Sequence, residues 1–129
     1  TDGTTTQITD PCRGVAKTYT PVNIVTATTV RVIAPVSAKK TYICAISIFA
    51  AGTDNVGVVE GTGGTCGTAT AGVYGGTTAA TGFNCTAQTG IAWGDGGFAV
   101  MATAGTNVDF CLITSAAVQL SGHVAWVQQ

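Results

Sequence analysis

Thr41-Tyr-Ile-Cys-Ala-Ile-Ser-Ile-Phe-Ala50 is the stretch that decides the fold. Read at a period of two, Tyr42, Cys44, Ile46 and Ile48 fall on one face, and Ile43, Ala45, Ser47 and Phe49 on the other. Both rows are largely apolar, which is the pattern of a strand covered on both sides. The same period recurs outward from it. Thr28–Ile33 sets Val30 and Val32 opposite Arg31, and Asn55–Glu60 makes a short strand after the Gly52–Asn55 turn. Phe98–Ala102 places Phe98 and Val100 inward. Asn107–Thr114 sets Val108, Phe110 and Leu112 against Asp109, Cys111 and Ile113. Ala117–Val127 sets Leu120, Gly122, Val124 and Trp126 against Gln119, Ser121, His123 and Ala125. Thr18–Val25 contains Pro21, so it reads as an edge strand. About seven or eight short strands separated by turn residues, with no 3.6-residue pattern, predict an all-β chain. The expected architecture is a β-sandwich, jelly-roll-like, over residues 16–129. Residues 1–15 are polar and Thr-rich, with Asp10-Pro11 and Arg13-Gly14, and read as an extended N-terminal arm.

Composition narrows the function. The chain has 129 residues, 46% hydrophobic and only 9% charged, with a formal net charge of -1. That is one domain with enough apolar surface for a core, and not a disordered composition. Five Lys and Arg against six carboxylates make no phosphate-neutralising stripe, so no nucleic-acid partner is expected. Lys39-Lys40 is too short for a polybasic motif. No apolar run approaches the length of a membrane span, and Thr1–Thr6 has neither the basic nor the apolar part of a leader. A charge-poor surface of small polar residues suits a protein held in a large assembly, where solubility does not rest on each copy's charge.

From Gly61 to Gln88 the chain changes character, with Gly61, Gly63, Gly64, Gly67, Gly72, Gly75, Gly76 and Gly82 in close succession. It has neither the lysine of a P-loop nor a GxGxxG opening a helix, and reads as a long decorated loop. The five cysteines are an odd set. Cys44 and Cys111 sit in apolar strands, whereas Cys66 and Cys85 punctuate the Gly-rich loop. A Cys66–Cys85 bridge closing that loop is expected, with Cys44–Cys111 as the competing pair and Cys12 left over. With no C-x-x-C pair and one His, neither a metal site nor a cofactor is expected.

His123 is the only imidazole, and its conceivable partners are Glu60, Asp95, Asp109 and Cys111. Glu60, Asp95 and Asp109 are also the conceivable acid pair of a glycosidase. Nothing in the spacing brings any of them together, while Asp54-Asn55 and Asp95-Gly96-Gly97 are ordinary turn chemistry, so no catalytic residue is assigned and no enzymatic activity is expected. Among the aromatic residues Tyr19, Tyr42, Tyr74, Trp93 and Trp126, Tyr42 and Trp126 lie on apolar faces. Tyr74 and Trp93 are the candidates for an exposed ligand-binding surface. Asn84-Cys-Thr86 matches the short glycosylation pattern.

Lys40-Thr-Tyr-Ile-Cys44, Gly61-Thr-Gly-Gly-Thr-Cys-Gly67, Gly94–Val100 and Phe110-Cys-Leu-Ile-Thr-Ser-Ala-Ala-Val-Gln-Leu-Ser-Gly-His-Val124 together resemble small head structural proteins of tailed bacteriophages. The likeness spans residues 30 to 127, with its most specific run at Thr114–His123; residues 1–29 have no counterpart. It implies a capsid decoration, or cement, protein: a β-rich module, often trimeric, on the outer surface of the virion, bound to the major capsid protein. It carries no catalytic residues to transfer. On this reading the contacts to the shell are expected from the arm, through Asp2, Thr4, Thr5, Asp10 and Arg13, and from one end of the sandwich. The alternative is a tail-associated or fibre module that binds a carbohydrate or receptor through Tyr74 and Trp93.

Overall fold

The computed structural model of the protein describes residues 10–95 and 97–129. The strands are β1 (Thr18–Ile24), β2 (Thr29–Ile33), β3 (Thr41–Ala50), β4 (Asp54–Thr62), β5 (Thr68–Tyr74), β6 (Phe83–Cys85), β7 (Thr89–Trp93), β8 (Met101–Ala102), β9 (Asp109–Thr114) and β10 (Leu120–Gln128), with one 3-10 turn at Ala79–Thr81. They form two five-stranded antiparallel sheets. The first runs β1-β10-β3-β7, with β8 also on β3, and the second runs β2-β9-β4-β5, with β6 also on β4.

The two sheets share one core, the arrangement of a β-sandwich. Val22, Ile24, Ile43, Ile46, Ile48, Leu120 and Val124 from the first meet Ile33, Val56, Val58, Phe110 and Leu112 from the second. Each such side chain contributes about 1.5–3 kcal/mol by leaving water. The alternation expected for β9 and β10 holds: Phe110, Leu112, Leu120 and Val124 point into this core.

In β3 the alternation breaks. Ala45 pairs with Ala125 and Ile43 with Trp126, so Cys44 is an extra residue in a β-bulge. The inserted residue reverses the faces beyond it. Ile43, Ile46 and Ile48 therefore all point into the sandwich, while Tyr42, Cys44 and Ala45 join Cys12, Ala99, Ala125 and Val127 in a separate cluster on the outer face.

That outer cluster corrects the expected cysteine pairing. Cys12, fully buried, is bonded to Cys44, and Cys66 is bonded to Cys111; Cys85 is the free thiol, buried in the main core. Each bridge lies on the outer side of its own sheet. Cys111 points away from the core because its neighbours Phe110 and Leu112 point in, and it meets Cys66, Val59 and Ile113 there. Cys66 and Cys85 cannot meet, because they lie on opposite sides of the second sheet.

The Gly-rich stretch is not a loop but a continuation of the second sheet. β4 runs to Thr62, the chain reverses through residues 63–67, and β5 returns beside it. Gly63 and Gly64, at φ +90° and +96°, occupy the left-handed region that the reversal needs. Elsewhere the glycines permit close stacking: a Cβ on Gly57 would lie 2.8 Å from the Thr78 carbonyl oxygen. Phe98 and Val100 are also corrected. They are exposed, while Ala99 packs into the outer cluster and Met101 against the main core, where the segment runs beside the bulge of β3 with the Val100 N–H donating to the Ile43 carbonyl at 2.8 Å.

The strand connections sort to two ends. Residues 34–40, 63–67 and 103–108 lie at one end, where the chain also enters β1 and leaves β10; residues 25–28, 51–53, 86–88 and 115–119 lie at the other. Peptide mapping without reduction is expected to return the Cys12–Cys44 and Cys66–Cys111 pairs and one thiol, at Cys85. Replacing Cys66 and Cys111 together with Ser should cost about 4 kcal/mol of unfolding free energy, the chain-entropy value for a loop of this length.

Candidate functional site

In a chain with six carboxylates, the placement of each one matters. Asp54, at the start of β4, accepts the backbone N–H groups of Ser115 (2.9 Å) and Ala116 (3.0 Å) and the Ser115 hydroxyl (3.2 Å), all on Oδ1. Glu60, near the other end of the same strand, accepts the Ala104 N–H on Oε1 at 2.7 Å and the Gly105 N–H on Oε2 at 2.9 Å. Asp109 accepts the Gly64 N–H on Oδ2 at 3.0 Å, and its Oδ1 lies 3.4 Å from Arg31 Nη1. Asp10 Oδ1 accepts the N–H groups of Cys12 and Ala99, both at 2.9 Å, and Asp95 Oδ1 accepts that of Gly97 at 2.8 Å. Every carboxylate among the described residues therefore holds a turn or loop. Charged acceptors are the strong ones for this purpose.

The residues weighed for catalysis are not assembled. His123 is exposed on the outer face of the first sheet, its ring 6.5 Å from that of Tyr19. Glu60, Asp109 and Cys111 belong to the second sheet, and Cys111 is committed to a disulfide. Asp54 Oδ2 is buried with no hydrogen-bond partner, and Cys85 pairs with Asp54 across β4 and β6. Burial pushes the Cys85 thiol above its ordinary value of 9.0, and the charge of Asp54 adds to the rise.

The two aromatic candidates do meet. Tyr74 of β5 packs edge-on against Trp93 of β7 at 5.0 Å between ring centres, and against Phe83 at 5.8 Å. This joins the β7 edge of the first sheet to the β5 edge of the second. Trp93 is half-buried against the main core, so it closes the side of the sandwich and does not present a flat ring.

Of the arm residues, Asp2, Thr4 and Thr5 lie outside the described residues. Asp10 is spent on its two backbone bonds, and Arg13 is exposed. Sequence reasoning passed over an open cleft of about 370 Å³, lined by Val15, Ala16 and Thr18, by Trp126, Val127 and Gln128 at the end of β10, and by Lys39. Lys17 donates to the Val15 carbonyl at 3.0 Å, and Lys40 exchanges backbone bonds with Gln129 at 3.0 and 3.1 Å. Among the described residues, Arg13, Lys17, Lys39 and Lys40 have no carboxylate partner. The signal available beforehand was that each of them lies in a segment just outside the strands at the same end.

No family model, curated protein or solved structure matches the chain.

Two outcomes follow from the carboxylates and the buried thiol. Asp54→Ala leaves three donors without their acceptor and should cost about 3 kcal/mol in denaturant unfolding, whereas Asp54→Asn, which keeps Oδ1, should cost much less. For Cys85, a raised folded-state value means that the neutral thiol is favoured in the fold. Its stabilisation is complete below the unfolded value and is lost as pH rises through the folded one. Unfolding midpoints should therefore drop as pH rises above the ordinary thiol value of 9.0 in the wild type, and drop less in Cys85→Ala.

Proposed function

We propose that the chain is a non-enzymatic structural module, a decoration or cement protein that stabilises a bacteriophage capsid by bridging major capsid subunits on its outer surface. The observation that carries this reading is the use of the ionisable groups. The described carboxylates hold loops, and the lone imidazole stands apart from them on an exposed strand. A molecule so arranged is a rigid body with two shaped ends, suited to binding and not to proton transfer. The resemblance of residues 30–127 to phage head proteins supplies the partner.

The strand order supports the finer, jelly-roll form of the fold. Successive strands β1 to β4 alternate between the sheets, and β9 and β10 return between β2 and β4 and between β1 and β3. That is a long hairpin wound into two sheets. A trimer suits closed symmetry on a threefold axis of a shell. The disulfides fit a particle exposed to oxidising surroundings after host lysis. The mechanism is mass action: a protein that binds only the assembled lattice shifts the balance toward that lattice.

The alternative, a receptor- or glycan-binding module, draws on the Tyr74–Trp93 contact. The edge-on packing and half-burial of Trp93 favour the structural role.

Quantitative mass spectrometry of virions should find on the order of hundreds of copies, as a shell-wide symmetric component requires. Particles stripped of the protein should disrupt at a lower temperature and recover on adding it back. About a dozen copies or fewer per particle, as at a tail tip, would overturn the decoration reading.

A further inference from the structure

Four of the five Lys and Arg residues lie in segments outside the strands at one end of the sandwich. Arg13 and Lys17 precede β1 and Lys39 and Lys40 precede β3, while Arg31, at the middle of β2, reaches Asp109. The connections at the opposite end, residues 25–28, 51–53, 86–88 and 115–119, have no ionisable side chain, and Asp54 beside them is buried. The carboxylates at the cationic end do not offset it at contact range. Glu60 and Asp109 are buried and aimed at backbone N–H groups, and Asp10 is held between Cys12 and Ala99. Asp95, the exposed carboxylate, lies on the β7 side beside β3. Among the described residues, the side chains exposed at this end that carry charge are cationic.

The same end holds the cleft. Val15, 45% exposed, and Trp126 give it apolar lining, and Lys39 gives it a charge. The Trp126 N–H donates to the Thr20 hydroxyl at 2.9 Å, which orients that ring. Lys39 in the cleft, with Arg13, Lys17 and Lys40 in the segments that line it and no carboxylate partner for any of them among the described residues, makes too few cations for a nucleic-acid track, which spreads its charge along a backbone. They match a short protein segment with carboxylates flanking an apolar side chain.

We propose that this end is a docking face for an acidic segment of a protein partner, whose apolar side chain enters the cleft between Val15 and Trp126 while its carboxylates meet Arg13, Lys17, Lys39 and Lys40. The proposal rests on the decoration reading for the partner's identity: the segment belongs to the shell protein, and the uncharged end faces away from the shell.

The test is co-sedimentation of the full chain with assembled shells that lack it, from about 50 to about 300 mM salt. Wild-type binding should weaken with salt. Lys39→Glu/Lys40→Glu and Val15→Asp should each lower affinity at least about fivefold, while Gln119→Glu at the opposite end binds like the wild type. Where a charge-reversed variant fails to fold, as judged by its thermal transition, Val15→Asp and the wild-type salt titration carry the test. Salt-independent binding, with Val15→Asp and Lys39→Glu/Lys40→Glu bound as tightly as wild type, overturns the docking face and leaves the decoration reading standing. Wild-type protein that never sediments with shells overturns both. Displacement from the shells by duplex DNA at equal ionic strength assigns the cations to nucleic acid and overturns the proposal as well.

Discussion

The loops of a sandwich carry backbone N–H groups that no ladder satisfies, and in this protein carboxylates supply the acceptors. β4 is the hub of this constraint. Its two ends hold Asp54 and Glu60, one receiving the N–H groups of the β9–β10 loop and the other those of the β8–β9 loop. Asp109, on the neighbouring strand, holds the β4–β5 turn. A buried carboxylate is tolerated only when it is well bonded, so each of these contacts fixes a loop and also fixes the direction of the acid. Loops at both ends of the molecule are held in place for that reason.

The inward direction of the acids has an electrostatic consequence. Among the described residues no Lys or Arg is buried, whereas the carboxylates Asp54, Glu60 and Asp109 are turned inward. Formal net charge therefore says little about how one end of this protein meets a partner. The polarity follows from loop architecture: at one end the segment before β1 carries Arg13 and Lys17 and the β2–β3 connection carries Lys39 and Lys40, whereas the connections at the other end contain no Lys or Arg.

The outer faces are stapled separately. Cys12–Cys44 ties the segment before β1 onto the first sheet, and Cys66–Cys111 ties the β4–β5 turn across β4 to β9 on the second. Neither bridge joins the two sheets, which are held together by the aliphatic core and, along the β5 and β7 edges, by Tyr74 against Trp93. The free thiol, Cys85, sits inside that core, where it behaves as a small apolar side chain.

The sequence by itself determined the all-β class and the inward faces of β9 and β10, because period-two patterning is a local property of strands half-buried in a core. Composition and spacing likewise pointed away from a short-range metal motif. Tertiary structure alone decided three things. The bulge at Cys44 reverses which residues of β3 face inward, an effect of one unpaired residue that no local pattern reveals. The disulfides join cysteines brought together by sheet faces, so sequence proximity favoured the wrong pair, Cys66 with Cys85. The Gly-rich stretch forms strands because its neighbours supply a ladder and require close approach, which glycine allows despite its low intrinsic β propensity. The cleft is of the same kind: Val15, Ala16 and Thr18, Lys39, and Trp126 to Gln128 are far apart in the chain and become one surface only when β1 and β3 both pair with β10.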